Sequence, residues 1–159
     1  MQQFIYRHEY YEALPVTDSP GVEFKLLVSP VEAIRLWRQL AGCFGLVGFV
    51  KAALKLTSRN RRLYCIIAEG AVAHYGWVSF SFCRYYTVQA GDVVVGPIWT
   101  SGRFRGRGYA SLALMKAVNE LVLAGHHVFW IDTSADNMAC QKVIEKCGFG
   151  KQVSRCEGR

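Results

Sequence analysis

The pattern of apolar and polar positions changes at Arg61, where helical spacing gives way to β-rich runs. Before that point, an N-terminal strand and a second strand over Val22 to Val28 come first. Ser29-Pro30-Val31-Glu32 then has the form of a capping box, so a helix is predicted from there to about Ala41. A glycine-containing break precedes a second predicted helix, from about Phe49 to Leu56.

Three apolar runs after Arg61 are separated by glycine-containing turns, which predicts consecutive antiparallel strands. These strands are Leu63 to Ala68, Val72 to Phe82 and Asp92 to Thr100.

The remainder of the chain alternates helix and strand. A long helix is predicted from about Gly108 to Ala124, then a strand from His127 to Asp132. A helix from about Asn137 to Cys147 and a last strand from Phe149 follow. No internal repeat or linker is visible, so we expect one domain over residues 1–159. Its element order predicts an α+β or α/β fold in which helices flank one mixed sheet.

The chain has 159 residues, 52% of them hydrophobic, which is enough for one sizeable core. No segment approaches the roughly 20 uninterrupted apolar residues of a membrane-spanning helix. The best segment, Leu46 to Leu54, contains Lys51. The N-terminus also lacks the apolar stretch of a secretory signal, so a cytoplasmic protein without membrane contact is expected.

No two of the six cysteines form a Cys-x-x-Cys pair, and no histidines cluster with them. Neither a metal site nor a disulfide framework is therefore predicted. The formal net charge of +7 is divided among short basic groups, and aromatic residues are not interleaved with them as a base-stacking platform would require. Nucleic acid is therefore not the expected partner. A ligand carrying several phosphates explains the charge with fewer assumptions.

The segment from Val93 to Gly108 carries the most specific signal. A buried strand runs into a loop with three glycines and two arginines, and then into a long helix. The start of a helix presents unpaired N–H groups and the positive end of its dipole, which suits a phosphate. No Gly-Lys-Ser/Thr follows the glycines, and no acidic residue stands at the Rossmann offset. Both nucleotide-binding alternatives are therefore weakened.

The loop sequence, Arg105-Gly106-Arg107-Gly108-Tyr109-Ala110, resembles the pyrophosphate loop of the GCN5-related N-acetyltransferases (GNAT), Arg/Gln-x-x-Gly-x-Gly/Ala. A second block of that family follows at the expected distance. Asn137 opens a helix there, and Glu145-Lys146-Cys147-Gly148-Phe149 closes it. The resemblance is clear from about Val93 to Gly150.

This resemblance implies a sheet splayed between its fourth and fifth strands, with acetyl-CoA as the cosubstrate in the gap. The backbone of the fourth strand would pair with the pantetheine arm and donate a hydrogen bond to the thioester carbonyl. Asn137 would face the cofactor arm. The cofactor-binding residues expected on this basis are Ile98, Trp99, Thr100, Arg105, Gly106, Arg107, Gly108, Tyr109, Ala110 and Asn137.

Two helix positions affect the expected chemistry. Many family members have a proton-donating tyrosine seven residues after the motif asparagine, where this chain has Ile144. Isoleucine cannot donate a proton, so the thiolate is protonated from elsewhere or the protein is not a catalyst. Cys140 is interpreted as a small buried thiol, with a nucleophile as the alternative.

The fourth strand has no glutamate to act as a base, and the remaining candidates are His74, Asp132 and His8. His74 is on a strand expected to border the acceptor, and the ordinary histidine pKa suits proton transfer near neutrality. A structural role for it is the alternative. Asp132 would act through water or cap the following turn. Tyr6, His8 and Tyr75 are expected to line an acceptor pocket, although surface packing also explains the N-terminal pair.

The leading interpretation is an enzyme that acetylates the primary amine of a small molecule. Similarity of the His-Tyr-x-Trp strand and the Val-Gly-Pro-Ile-Trp-Thr segment to members from surface-polysaccharide pathways favours an amino sugar. The alternatives are a protein or peptide N-acetyltransferase, a non-catalytic acyl-CoA-binding module, and a basic RNA-binding protein.

The C-terminal edge of the sheet leaves several arrangements open. The family usually has a seventh strand after Gly148-Phe149, and Gly150 to Arg159 suffice for one strand but not for a hairpin. Three arrangements are expected as alternatives. A partner in a homodimer completes the sheet edge, the N-terminal segment completes it, or the chain has been cut short.

Overall fold

The computed structural model describes residues 2–157. The strands are β1 (Gln2–Glu9), β2 (Val22–Leu27), β3 (Arg61–Ala68), β4 (Ala71–Phe80), β5 (Val93–Thr100), β6 (Val128–Ser134) and β7 (Ser154–Glu157). The helices are α1 (Pro30–Arg35), α2 (Trp37–Lys55), α3 (Tyr109–Leu123) and α4 (Met138–Lys146), with a short 3-10 helix over Gly102–Phe104.

The strands form one mixed sheet in the order β2-β3-β4-β5-β6-β1-β7. From β2 to β5 the neighbours are antiparallel and consecutive in sequence, as predicted. β5 and β6 are parallel, and α3 connects them. The predicted α+β architecture, a mixed sheet flanked by helices, is confirmed.

The N-terminal strand β1 lies between β6 and β7 and is antiparallel to both. Tyr6 pairs with Ile131 on one side, and Phe4 pairs with Arg155 on the other. The side chain of Ile5 is only 2% exposed, so β1 also contributes to the core. The sequence left open how the C-terminal edge of the sheet is completed. In the structure the N-terminal strand β1 pairs with β6 and with the C-terminal strand β7 at that end of the sheet.

Several predicted boundaries are wrong. The helix predicted from Ser29 to about Ala41 is interrupted at Leu36, where α1 ends and α2 begins. The helix predicted to start near Phe49 is the C-terminal part of α2, which is kinked at Gly45, where φ is 73° and ψ is 169°. The last strand begins at Ser154 and not at Phe149, because Phe149 is buried in the core.

The predicted capping box is present at the start of α1. The Ser29 hydroxyl accepts a hydrogen bond from the Glu32 N–H, and the Glu32 carboxylate accepts one from the Ser29 N–H at 3.0 Å. Pro30 occupies the first turn, where its missing N–H costs no helical hydrogen bond.

Two hydrophobic clusters lie on opposite faces of the sheet. Tyr64 and Ile66 of β3 belong to the cluster under α3 and α4, whereas Leu63 and Cys65 belong to the cluster under α1 and α2. Side chains alternate between the two faces of a strand, so each cluster marks one face. We call them the α3 face and the α2 face.

None of the helices within residues 2–157 is long and apolar enough to cross a membrane. In the same part of the chain, no group of three or more His, Cys, Asp or Glu side chains is arranged to hold a metal ion.

Candidate functional site

β5 and β6 run side by side for only three residues and then diverge. Val93, Val94 and Val95 pair with residues 129–131, and beyond them β5 pairs with β4 and β6 pairs with β1. Pro97 lies at the divergence and has no N–H to give to a neighbouring strand. The far edge of residues 98–100 is therefore free, and the gap predicted between the fourth and fifth strands is present.

The loop from β5 to α3 has a backbone that only glycine adopts without strain. Gly106 and Gly108 have φ values of 76° and 78°, in the left-handed region. Gly108 is the N-cap of α3, and the Leu112 N–H donates to its carbonyl. The N–H groups of residues 109–111 therefore have no acceptor within the helix, and they are available to an anion.

A cavity of about 620 Å³ opens between this loop, the end of β5 and α4. Nine of the ten predicted cofactor-binding residues line this cavity: Ile98, Trp99, Thr100, Arg105, Gly106, Gly108, Tyr109, Ala110 and Asn137. The prediction did not include its other lining residues, which are Phe104, Ser111, Ala139, Cys140, Lys142 and Val143.

The cavity is suited to an anionic ligand. Its charged lining residues are Arg105 and Lys142, and no carboxylate of the described residues lines it. A Cβ added at Gly106 or Gly108 would meet nothing within 4 Å, so the space above the loop is open. The sequence signal for Lys142 was its position on the helix that Asn137 caps, five residues after that asparagine, which the motif itself does not include.

Arg107 differs from its predicted role. Its guanidinium donates to Glu69 at 3.0 Å, and Arg103 forms an ion pair with the same carboxylate. Hydrogen bonds and charge from both arginines, Arg107 first, hold the pKa of Glu69 below its ordinary value. Arg107 thus anchors the loop to the turn between β3 and β4 and does not line the cavity.

The sequence profile of the Acetyltransferase (GNAT) family matches residues 33–149. This range contains the gap, the loop and both helices around the cavity. The chain belongs to the GNAT acetyltransferase family. The predicted family is confirmed, and with it an enzyme that uses acetyl-CoA as the acetyl donor.

Solved structures of GNAT enzymes have the same fold. AAC(6')-Iy in complex with the bisubstrate analogue CoA-S-monomethyl-acetylneamine has a TM-score of 0.65 and 17% identity, over 87% of this chain and 97% of that one. An aminoglycoside acetyltransferase from an uncultured soil metagenomic sample, in complex with sisomicin, has a TM-score of 0.63 and 9% identity, over 87% and 95%.

A putative GNAT-family acetyltransferase from Novosphingobium aromaticivorans has a TM-score of 0.58 and 17% identity, over 96% of this chain and 61% of that one. No curated protein matches the chain. At these identities the structures establish the fold, and the acceptor has to be inferred from this chain's own residues.

His74 is completely buried in this GNAT fold. Its Nδ1 lies 2.8 Å from the hydroxyl oxygen of Thr100, and burial lowers the pKa of the imidazole to about 4. A bound amine has no direct access to it, which corrects the expectation of a base open to the acceptor. Its connection to the cofactor cavity is through Thr100, which lines that cavity.

Asp132 lies at the mouth of the gap. Its neighbour Ile131 is in the core under α3, so the Asp132 side chain points to the α2 face. The Tyr86 hydroxyl donates to its Oδ1 at 3.2 Å. Burial raises the pKa of the Asp132 carboxyl, and the Tyr86 hydrogen bond opposes that shift. A raised pKa makes Asp132 a stronger base than an exposed aspartate.

The two helix positions singled out in the sequence have different environments. Cys140 lines the cofactor cavity, and its N–H donates to the Asn137 side chain, which caps α4. Burial raises the pKa of the Cys140 thiol, which keeps it protonated. Ile144 is fully buried in the core under α3 and does not line the cavity.

The structure does not bring Tyr6, His8 and Tyr75 together. Tyr6 is buried in the core on the α3 face, and the His8 ring packs 4.5 Å from the ring of Tyr10. Their strand, β1, is separated from the gap by β6. Tyr75 packs with the other cluster, on the α2 face. The predicted acceptor pocket is therefore wrong as a set of three residues.

A second cavity of about 260 Å³ lies on the α2 face. Trp99 lines this cavity, and its ring centroid is 5.4 Å from that of Tyr75. The ring centroid of Tyr75 is also 4.7 Å from that of Phe44. The lining residues are Arg38, Gln39, Gly42, Cys43, Gly70, Ala71, Val72, Trp99, Ser101, Arg103 and Phe104. No local motif marks the cavity, because α2, the β3–β4 turn and β5 meet only in the folded chain.

Proposed function

We propose that the protein transfers the acetyl group of acetyl-CoA to the primary amine of a small molecule. The observation that supports this most is the 620 Å³ cavity, which joins the free edge of β5 to the glycine loop; among the described residues, its lining includes basic side chains but no carboxylate. In this proposal the N–H groups at the start of α3 and Arg105 bind the pyrophosphate.

The free edge of β5 would pair with the pantetheine arm through the backbone of residues 98–100. An N–H of this edge, directed at the thioester carbonyl, would stabilise the oxyanion of the tetrahedral intermediate. Asn137 is committed to capping α4 and forms part of the cavity wall.

In the proposed reaction the neutral amine attacks the thioester carbon, an amide bond forms and the carbon–sulfur bond breaks. Asp132, on the α2 face of the gap, accepts the proton of the amine directly or through water. Ile144 cannot protonate the leaving thiolate and is buried away from the cavity, so solvent supplies that proton.

The acceptor class proposed is an amino sugar. Tyr75 and Trp99 form an aromatic wall on the α2 face, and such a wall packs against the apolar face of a sugar ring. Two GNAT structures with the same fold are aminoglycoside acetyltransferases, which is consistent with an amine on a sugar.

Two alternatives remain from the sequence. A protein or peptide N-acetyltransferase needs an open groove for an extended chain, whereas the cavity on the α2 face has a volume of about 260 Å³. A non-catalytic acyl-CoA-binding module is favoured by the burial of His74, which removes one candidate base, and by isoleucine at position 144, where many family members have a tyrosine acid.

A coupled pair of measurements tests the proposal. Calorimetry should show binding of acetyl-CoA, and thiol release should then identify turnover in a panel of amino sugars, simple amines and peptides. Turnover led by peptides would support the first alternative, and binding without turnover of any amine would support the second. Absence of acetyl-CoA binding would contradict the proposal altogether.

A further inference from the structure

The smaller cavity on the α2 face adjoins the cofactor cavity. Trp99 and Phe104 line both of them. Residues 98 and 100 of β5 are turned towards the α3 face, and Trp99 between them is turned towards Tyr75 on the α2 face. A molecule in the smaller cavity would therefore lie on the opposite face of β5 from the core under α3, next to the strand that forms one side of the gap.

The polar groups of this cavity form a site for an anion. Arg38, Gln39, Ser101 and Arg103 line it, and in the part of the chain that the structure describes no carboxylate lines it. These four side chains supply guanidinium, amide and hydroxyl donors, which is the set that binds phosphate or carboxylate oxygens.

The charge of the two arginines is only partly balanced by neighbouring acids. Arg38 forms no ion pair with any carboxylate among the described side chains. Arg103 shares the single carboxylate of Glu69 with Arg107, so that group of three keeps one positive charge. The cavity therefore has an excess of positive charge that an anionic ligand would balance.

We propose that the acceptor amine also carries an anionic group, a phosphate or a carboxylate, which Arg38 and Arg103 bind on the α2 face. The inference rests on the proposed acetyl transfer and narrows its substrate class. Positive charge beside the amine also favours the neutral, nucleophilic form of that amine, which helps a site where Asp132 is the proposed base.

The same charge disfavours an acceptor with several ammonium groups. Sisomicin, the ligand of one structure with this fold, is an aminoglycoside. A ligand of that class would bring positive charges to Arg38 and Arg103 without a carboxylate in the cavity to pair with them. The acceptor of this chain is therefore an acidic amine and not a polycationic one.

Matched pairs of amines test the inference by thiol release at saturating acetyl-CoA. The phosphate arm compares glucosamine 6-phosphate with glucosamine, and the carboxylate arm compares β-alanine with propylamine; the arm with the larger ratio of kcat/KM identifies the anionic group. The anionic member should be preferred by about tenfold or more, the effect of one charge-assisted contact. Sisomicin should be a poorer acceptor than either anionic amine.

Arg38→Gln and Arg103→Gln should each reduce that preference about tenfold. Arg35→Gln removes one positive charge from the exposed surface of α1 and is the matched control. Calorimetry with acetyl-CoA is run on every variant, because Arg38→Gln must lose the acceptor preference without losing the cofactor. A matching loss of acetyl-CoA affinity would assign the cavity to a cofactor phosphate and overturn the inference.

Equal kcat/KM for both members of each pair would also overturn it, as would a preference that persists in both arginine variants. If acetyl-CoA binds but no amine is turned over, the proposed function fails. The existence of the anion site is then tested by measuring ligand binding without turnover. Glucosamine 6-phosphate should in that case bind to the CoA-loaded protein and not to the Arg38→Gln variant; no binding to the wild type would overturn the inference as well.

Discussion

The imidazole of His74 and the hydroxyl of Thr100 are joined across β4 and β5, with Nδ1 of the ring 2.8 Å from the hydroxyl oxygen. The other ring nitrogen, Nε2, is buried without a partner among the described residues, and so is the hydroxyl of Tyr64. The two aromatic rings are 6.0 Å apart. Thr100 lines the cofactor cavity, so a buried neutral histidine sets the direction of a hydroxyl at that cavity.

This burial predicts a pH dependence of stability. The pKa of His74 falls from its ordinary 6.5 to about 4 in the fold, so between those values the unfolded chain binds more protons than the folded one. The free energy of unfolding should therefore fall as the pH is lowered from about 6.5 to 4, by roughly 3 kcal/mol in total from this group.

Urea unfolding of wild type and His74→Leu at pH 7 and pH 4.5 measures this effect. The free energy of unfolding should differ less between pH 7 and pH 4.5 in the variant than in the wild type, by about 2 kcal/mol, because the variant has no imidazole to protonate at position 74. His8→Leu is the control for the loss of one imidazole elsewhere in the sheet. An unchanged pH dependence in His74→Leu would contradict the burial of a neutral His74.

Asp132 is predicted to be the base of the reaction. Asp132→Asn should lower kcat about 100-fold and remove the acidic limb of its pH profile, while acetyl-CoA affinity stays at the wild-type level. Tyr86→Phe should move that limb to higher pH, since the lost hydrogen bond had lowered the pKa of Asp132. The exposed Asp136, changed to asparagine, is the matched control; an Asp132→Asn enzyme with normal kcat would exclude the role.

Cys140 is predicted not to form an acetyl-enzyme. Its thiol has a raised pKa and is therefore protonated near neutral pH, whereas the nucleophile of covalent catalysis is a thiolate. Intact-mass spectrometry after incubation with acetyl-CoA should show no added acetyl group, and Cys140→Ala should retain turnover. An acetyl adduct that is absent from Cys140→Ala would reverse this conclusion.

The parts of the site encoded in neighbouring residues could be predicted from the sequence. The positive φ values of Gly106 and Gly108, the start of α3 and the capping box at Ser29 each depend on a few adjacent positions. Residues 98–100 line the cavity next to the loop because their strand leads directly into it.

The parts that depend on contacts between distant segments could not be predicted. The sequence of β1 is compatible with a strand in several places, and its position between β6 and β7 is decided by side chains such as Ile5 that reach the core only there. The cavity around Arg38 and Trp99 likewise requires α2 to lie against the end of β5. Tyr6 and His8 were misplaced for the same reason.

The most direct test of the acetyl-CoA site is calorimetric binding of acetyl-CoA to wild type, Gly108→Trp and Gly125→Trp. Both glycines have a positive φ and open space at the Cβ, but Gly125 lies in the turn between α3 and β6, away from the cavity. Both variants thus carry a similar backbone strain, and only Gly108→Trp fills the space above the loop. Binding should be lost in Gly108→Trp and retained in Gly125→Trp; equal binding by all three proteins would contradict the assignment of the loop as the pyrophosphate site.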